Sequence, residues 1–132
     1  MIRKDIIQPV NDLIEKQSEQ LKDKIAYADE IESISYENLN IETKNLSFYL
    51  NEKNLKPGDA ASIILPNSVN WIVSCFAIVR LGCLVVPISY DSTLSEIEYK
   101  LKDSNTKVVI TTNEIKNKIK SQLILKNKIQ FI

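Results

Sequence analysis

The chain has 132 residues, 44% apolar and 26% charged, with 17 basic and 17 acidic side chains. That is enough for one ordinary domain with a real core and is far from a disordered composition. The even charge balance gives no electrostatic reason to expect nucleic acid as a partner, and the absence of histidine removes the commonest general base and metal ligand.

The opening "MIRKDIIQPVNDL" is expected to be no signal peptide, because Asp5 and Asp12 interrupt any apolar stretch. Residues 5–22 place Ile6, Val10, Leu13, Ile14 and Leu21 at helical spacing, with Pro9 tolerable near the first turn. "KIAYAD" and "ESISY" are short strand-like runs around Asp29-Glu30 and predict a small hairpin. From Tyr36 to Asn54 the pattern is a second amphipathic helix. Leu39, Leu46, Tyr49 and Leu50 are its expected inner face, and Glu42, Lys44, Glu52 and Lys53 its wet one.

"KPGD", Lys56 to Asp59, reads as a tight turn, with Pro57 presetting φ and Gly58 supplying a left-handed residue. "AASIIL" follows as a strand apolar on both faces, the pattern of a parallel strand covered by helices. Pro66 stops it, and Asn67 or Ser68 can cap the next helix. That helix, Val69 to Leu81, is apolar almost all round and should be the most buried crossover, ending at Gly82. "CLVVPI" is expected to be another buried strand. The stretch Val69–Ile88 is long enough to span a bilayer, but Arg80, Gly82 and Pro87 make it a buried helix and strand instead.

"TLSE", Thr93 to Glu96, is a capping box that opens a helix with Leu94, Ile97 and Leu101 on one face. "KVVITT" predicts a third buried strand. Asn113 can cap a last helix carrying Ile115, Ile119 and Leu123, and "KIQFI" starts a fourth strand. The fold class is therefore α/β. A β-α-β-α-β-α-β, mainly parallel sheet runs from residue 60, preceded by a helix, a small hairpin and a second helix. Ending within a strand, residues 1–132 are expected to be a single incomplete α/β domain. It would have an unpaired sheet edge and marginal solubility on its own.

No site residue emerges from this pattern: catalytic none, cofactor-binding none, metal none. Gly58 and Gly82 are the only glycines, so neither a dinucleotide fingerprint nor a phosphate loop can be written. Without histidine no Ser-His-Asp or Cys-His set is possible. Cys75 and Cys83 make no zinc site and read as small buried hydrophobes in a reducing cytosol. Trp71, Phe76 and Tyr90 could form a ligand platform, although Trp71 and Phe76 fit core positions better. Glu15, Glu19, Glu37 and Glu42 follow solvated helix faces, and Lys116, Lys118 and Lys120 make a solvated basic turn.

The run from Ser33 to Thr112 resembles the N-terminal part of AMP-forming acyl-CoA synthetases. These belong to the adenylate-forming superfamily, with peptide-synthetase adenylation domains and luciferases. The resemblance rests on an order of pieces: "SYENL" opening a helix, "LKPGD", a strand ending "LPNS", an apolar helix ending "RLG", then "VVPIS", "LSEIEYKLKDS" and "KVVITT". It covers about residues 5–113 and departs from the family at "GDAASI", where a basic residue more often follows the aspartate.

The resemblance implies two half-reactions. A carboxylic or fatty acid attacks ATP with Mg2+ to give an acyl-adenylate and pyrophosphate, and a thiol, usually CoA, then takes the acyl group. It also implies that the lysine-bearing phosphate loop, the magnesium motif, the ribose-binding aspartate and the catalytic lysine lie beyond this segment. "LPNS" is then an architectural turn, and the segment alone is expected to be inactive and to bind none of these cofactors. A cytoplasmic protein with no transmembrane segment and no nucleic-acid partner is expected. The alternatives are an adenylation domain of a peptide synthetase, with a carrier protein as acceptor, and a self-standing non-catalytic binding module.

Overall fold

The computed structural model describes residues 9–123, 125 and 128–132. Among them are five helices: α1 (Val10–Leu21), α2 (Tyr36–Glu52), α3 (Val69–Arg80), α4 (Leu94–Asp103) and α5 (Asn113–Gln122). The strands are β1 (Ile25–Ala28), β2 (Ser33–Ser35), β3 (Ala60–Ile64), β4 (Leu84–Pro87), β5 (Val108–Thr111) and β6 (Gln130–Phe131). β1 and β2 form the antiparallel hairpin; the other four lie in the order β4-β3-β5-β6, every neighbouring pair parallel.

β3 is buried at all five residues, as its two-sided apolar pattern requires. Its alternate residues feed two separate cores. Ala61 and Ile63 pack with Leu50 of α2 and with Ala77 and Ile78 of α3. Ile64 packs on the opposite face with Ile97 and Leu101 of α4 and Ile115 and Ile119 of α5. Ser62, fully buried, is satisfied by Thr106 Oγ1 at 2.7 Å, which in turn meets Ser104 Oγ at 2.7 Å.

Local signals explain where the helices stop and start. Ser35, Ser68, Thr93 and Thr112 each accept the backbone N–H three residues on. Thr93 and Glu96 complete the capping box, with Thr93 N–H donating to Glu96 Oε2 at 2.7 Å. At the end of α3, Gly82 N–H donates to Val79 O at 2.9 Å and Cys83 N–H to Ile78 O at 3.2 Å. This is a Schellman motif closed by Gly82 at φ +72°. Gly82 O in turn accepts from Gly58 N–H at 2.9 Å, which ties the "KPGD" turn to the helix end.

α1 begins at Val10, with Pro9 at its N-cap beside the first turn as expected, and residues 5–8 lie outside the described residues. Several expectations need correction. Val10 and Leu13 are exposed, so Ile14 and Ser18 are the buried face of α1. On α2 the inner stripe is Leu39, Thr43, Ser47 and Leu50; Tyr49 is 41% exposed, under the Lys53 ammonium. Thr43 is tolerated on that face because its Oγ1 donates to its own backbone at Leu39 O, 2.7 Å away. The "CLVVPI" strand is not buried throughout. β4 is an edge among the described strands, where Leu84 is 61% exposed and Pro87 is tolerated. Thr112, not Asn113, caps α5.

Ile63 and Ile78 are both fully buried in the same core. Ile63→Asp or Ile78→Asp would bury an unpaired carboxylate, costing several kcal/mol against a total stability of about 5–15 kcal/mol. Neither variant is expected to unfold cooperatively in a thermal melt followed by circular dichroism. A normal melt would remove that position from the core.

Candidate functional site

The chain leaves β3 through α3 on one face of the sheet and leaves β4 and β5 through α4 and α5 on the other. The loops at the carboxyl ends of the neighbouring strands β3 and β4 therefore head to opposite faces of the sheet and leave a crevice between them, one strand away from the β3/β5 pair at which the strand order reverses. Here the crevice has a volume of about 580 Å³.

One wall is Leu65, Pro66 and Asn67, with Trp71 one turn into α3; the other is Pro87 to Asp91. Pro66 ends β3, and Ser68 Oγ caps α3 by accepting Trp71 N–H at 3.2 Å. Ser92 N–H donates to Ser89 O at 3.1 Å and turns the second wall into the loop before α4. The floor is Ile88, 2% exposed, whose N–H donates to Ile63 O at 3.0 Å. The lining thus offers two aromatic side chains, an amide, a hydroxyl and the Asp91 carboxylate, and no cation. This can stack a flat group and hydrogen-bond it. It holds no activated nucleophile or positive charge to stabilise a transferring phosphate.

Of the three aromatics considered for a platform, Trp71 and Tyr90 meet here. Phe76 lies elsewhere, in an apolar groove of about 480 Å³ with Val10, Leu13, Tyr27 and Ile72. Trp71 and Phe76 are both partly buried against cores, so neither stands free in solvent. Cys83 is buried, its Sγ donating to Lys56 O at 3.1 Å, and Cys75 is half-buried; desolvation pushes both thiols up. Lys118 and Lys120 are exposed on α5, Lys120 above the Phe131 ring at 5.5 Å.

Two polar features were hidden in the sequence. Glu15 keeps a side chain 46% exposed, as a solvated face requires, and also pairs with Lys44 at 2.9 Å and with Arg80 at 3.3 Å. Arg80 also donates to Asn40 Oδ1 at 2.8 Å, so a side chain only 10% exposed joins α1, α2 and α3. The second is Asp29, in the hairpin turn. Its Oδ1 accepts Ile31 and Glu32 N–H, each at 2.8 Å, and its Oδ2 accepts Val69 N–H at 2.9 Å. Val69 opens α3, so the positive end of that helix already faces a carboxylate of this chain.

Among the described residues no cluster of three or more acidic, cysteine or histidine side chains could hold a metal ion. No helix there is long and apolar enough to cross a membrane.

These hydrogen bonds, Val69 N–H foremost, hold the Asp29 carboxyl below its usual range. A depressed carboxylate stabilises the fold above its unfolded value, about 3.9 for aspartate, and that contribution is lost as pH falls through the folded value. Urea unfolding of Asp29→Asn should therefore show a deficit against wild type at pH 7 that shrinks by pH 3. A deficit equal at both pH values would mean that the charge does not matter.

Residues 14–130 match the family model described as AMP-binding enzyme. Gramicidin S synthase 2 of Brevibacillus brevis is 30% identical over 109 residues, which are 83% of this chain and 2% of that protein. The Mycobacterium tuberculosis fatty acyl CoA synthetase superposes with a TM-score of 0.84 at 21% identity, over 94% of this chain and 26% of that one. NpsA-ThdA, an artificially fused adenylation–PCP di-domain NRPS from Klebsiella oxytoca, gives 0.81 at 18% identity, over 96% and 23%. The two structures share the fold; this chain spans about a quarter of each and far less of the synthase.

Proposed function

The chain belongs to the AMP-binding enzyme family, and from that premise we propose that it is the N-terminal portion of an adenylate-forming acid–thiol ligase. Residues 1–132 are then one incomplete α/β domain, and the complete enzyme would join a carboxylic acid to a thiol with ATP. The observation that carries this is the family match over residues 14–130, set against the small share of each relative that the chain spans.

ATP and Mg2+ do not fit the residues present. The crevice has one carboxylate and no cation, and the α3 N-terminus is taken by Asp29 and Ser68. No catalytic, cofactor or metal residue is therefore assigned in this chain. Its role in the ligase is to supply a wall: Trp71 and Tyr90 as flat apolar surface, Asn67 and Ser89 as neutral hydrogen-bonding groups, and Ile88 as a dry floor.

The acceptor thiol has two readings. A carrier-protein thiol is favoured by the 30% identity to Gramicidin S synthase 2, which would make the parent a peptide-synthetase adenylation domain. CoA, and with it a fatty acid as substrate, is supported by the fold shared with the fatty acyl CoA synthetase.

The test is acid-dependent exchange of labelled pyrophosphate into ATP, run with acetate through long-chain acids and a set of amino acids. The complete enzyme should exchange with at least one acid, and the 132 residues alone with none. Exchange by the 132 residues, lost on heat denaturation, would overturn the assignment of a wall without a reaction centre. Transfer of the acyl group to CoA or to a carrier thiol then separates the two readings.

A further inference from the structure

We propose that Asp29 is the positioning residue of the crevice: from the hairpin turn it holds the first turn of α3, and through it Asn67 and Trp71, in place. The functional half of this inference rests on the crevice being a wall of the ligase site.

The first turn of a helix has N–H groups with no partner inside the helix. Ser68 satisfies the one at Trp71. The one at Val69 belongs to a residue only 3% exposed, where an unmet donor is costly. It is met by Asp29, 40 residues earlier in the chain. The opposite oxygen of the same carboxylate is fixed by Ile31 and Glu32 N–H. Three donors on two oxygens leave the group no free rotation: moving it costs either the hairpin turn or the helix end.

The hairpin and the crevice also share a wall. Asn67 and Trp71 line the crevice, and they line a smaller depression of about 150 Å³ together with Tyr27 of β1 and Ile72. A shift of the hairpin is therefore felt at the two side chains that face a ligand. The Asp29 charge has a further effect. It already neutralises the positive end of α3, so the corner at Asn67 suits a neutral polar group better than a phosphate.

Trp71 is the sole tryptophan of the 132 residues, so its fluorescence reads this corner directly. Asp29→Ala should shift its emission to the red and raise its quenching by acrylamide while the far-ultraviolet spectrum stays folded. Asp29→Asn, which keeps one acceptor oxygen, should fall between it and wild type. Asp59→Ala is the control. Asp59 also caps a turn and pairs with Lys107 at 2.6 Å, but at the other end of the sheet, and its loss should leave Trp71 unmoved. Wild-type emission and quenching in Asp29→Ala, or an equal change in Asp59→Ala, would overturn the positioning role. Should Asp29→Ala not fold, Asp29→Asn is judged by the same criteria.

In the complete enzyme, Asp29→Asn should raise the KM for the acid or the thiol by about tenfold, with a smaller change in kcat, as expected for a misplaced binding wall. A Trp71 response with both KM values unchanged would overturn the crevice as a ligand wall and leave the positioning of α3 standing.

Discussion

β3 is the element on which the rest depends. It is paired in parallel on both sides and has no exposed residue. Five residues of backbone therefore define the plane that α2 and α3 cover on one side and α4 and α5 on the other. Their side chains are small or branched, Ala-Ala-Ser-Ile-Ile, which lets helices approach closely where the alanines lie. The single polar member, Ser62, is tolerated because Thr106 meets it within the same layer. Among the described strands β5 is also paired on both sides but is partly exposed at Thr111, β4 is an edge, and β6 contributes two residues.

That arrangement divides labour along the strand axis. At the amino ends, the "KPGD" turn, Gly82 and the Asp59–Lys107 pair lock strands and helix ends together. At the carboxyl ends the loops diverge and the crevice opens. The interlocked turns and the crevice are thus placed at opposite ends of the same sheet. In an adenylate-forming ligase, the surface offered here suits recognition and the exclusion of water, because it holds aromatic and neutral polar groups and no cation for a phosphate.

The fold was legible because most of its signals are local. The apolar run of β3, the capping box at Thr93 and the glycine after α3 each act within a few residues. What escaped was non-local. Asp29 reads as a turn residue, and nothing nearby reveals that one oxygen serves Val69. Glu15 sits on a helix whose pattern is polar outward, and only the fold brings Arg80 beneath it. Tyr49 was expected inside and lies outside, while Thr43 takes an inner position, because apolarity alone does not tell which of two neighbouring helical stripes faces the core. The edge position of β4 depends on strand order, and a parallel strand with one open side differs little in composition from one with none. The crevice was legible only as two of its aromatics, Trp71 and Tyr90; what joins them was not. It is made by the divergence of two loops, and its other residues look like ordinary turn and core residues.

The double pairing of β3 also sets a timetable for folding. Its partners follow it in the chain, and the bond from Thr111 Oγ1 to Ile64 O closes over 47 residues. During synthesis β3 leaves the ribosome with both edges bare. It can gain β4 only after α3 has been made, and β5 only after α4 as well. Distant pairings of this kind are slow to form, because loop closure must precede any gain from the contact. An apolar strand that waits for two later partners is an opening for wrong ones, so chaperone demand during synthesis should concentrate between the appearance of Ile64 and that of Thr111.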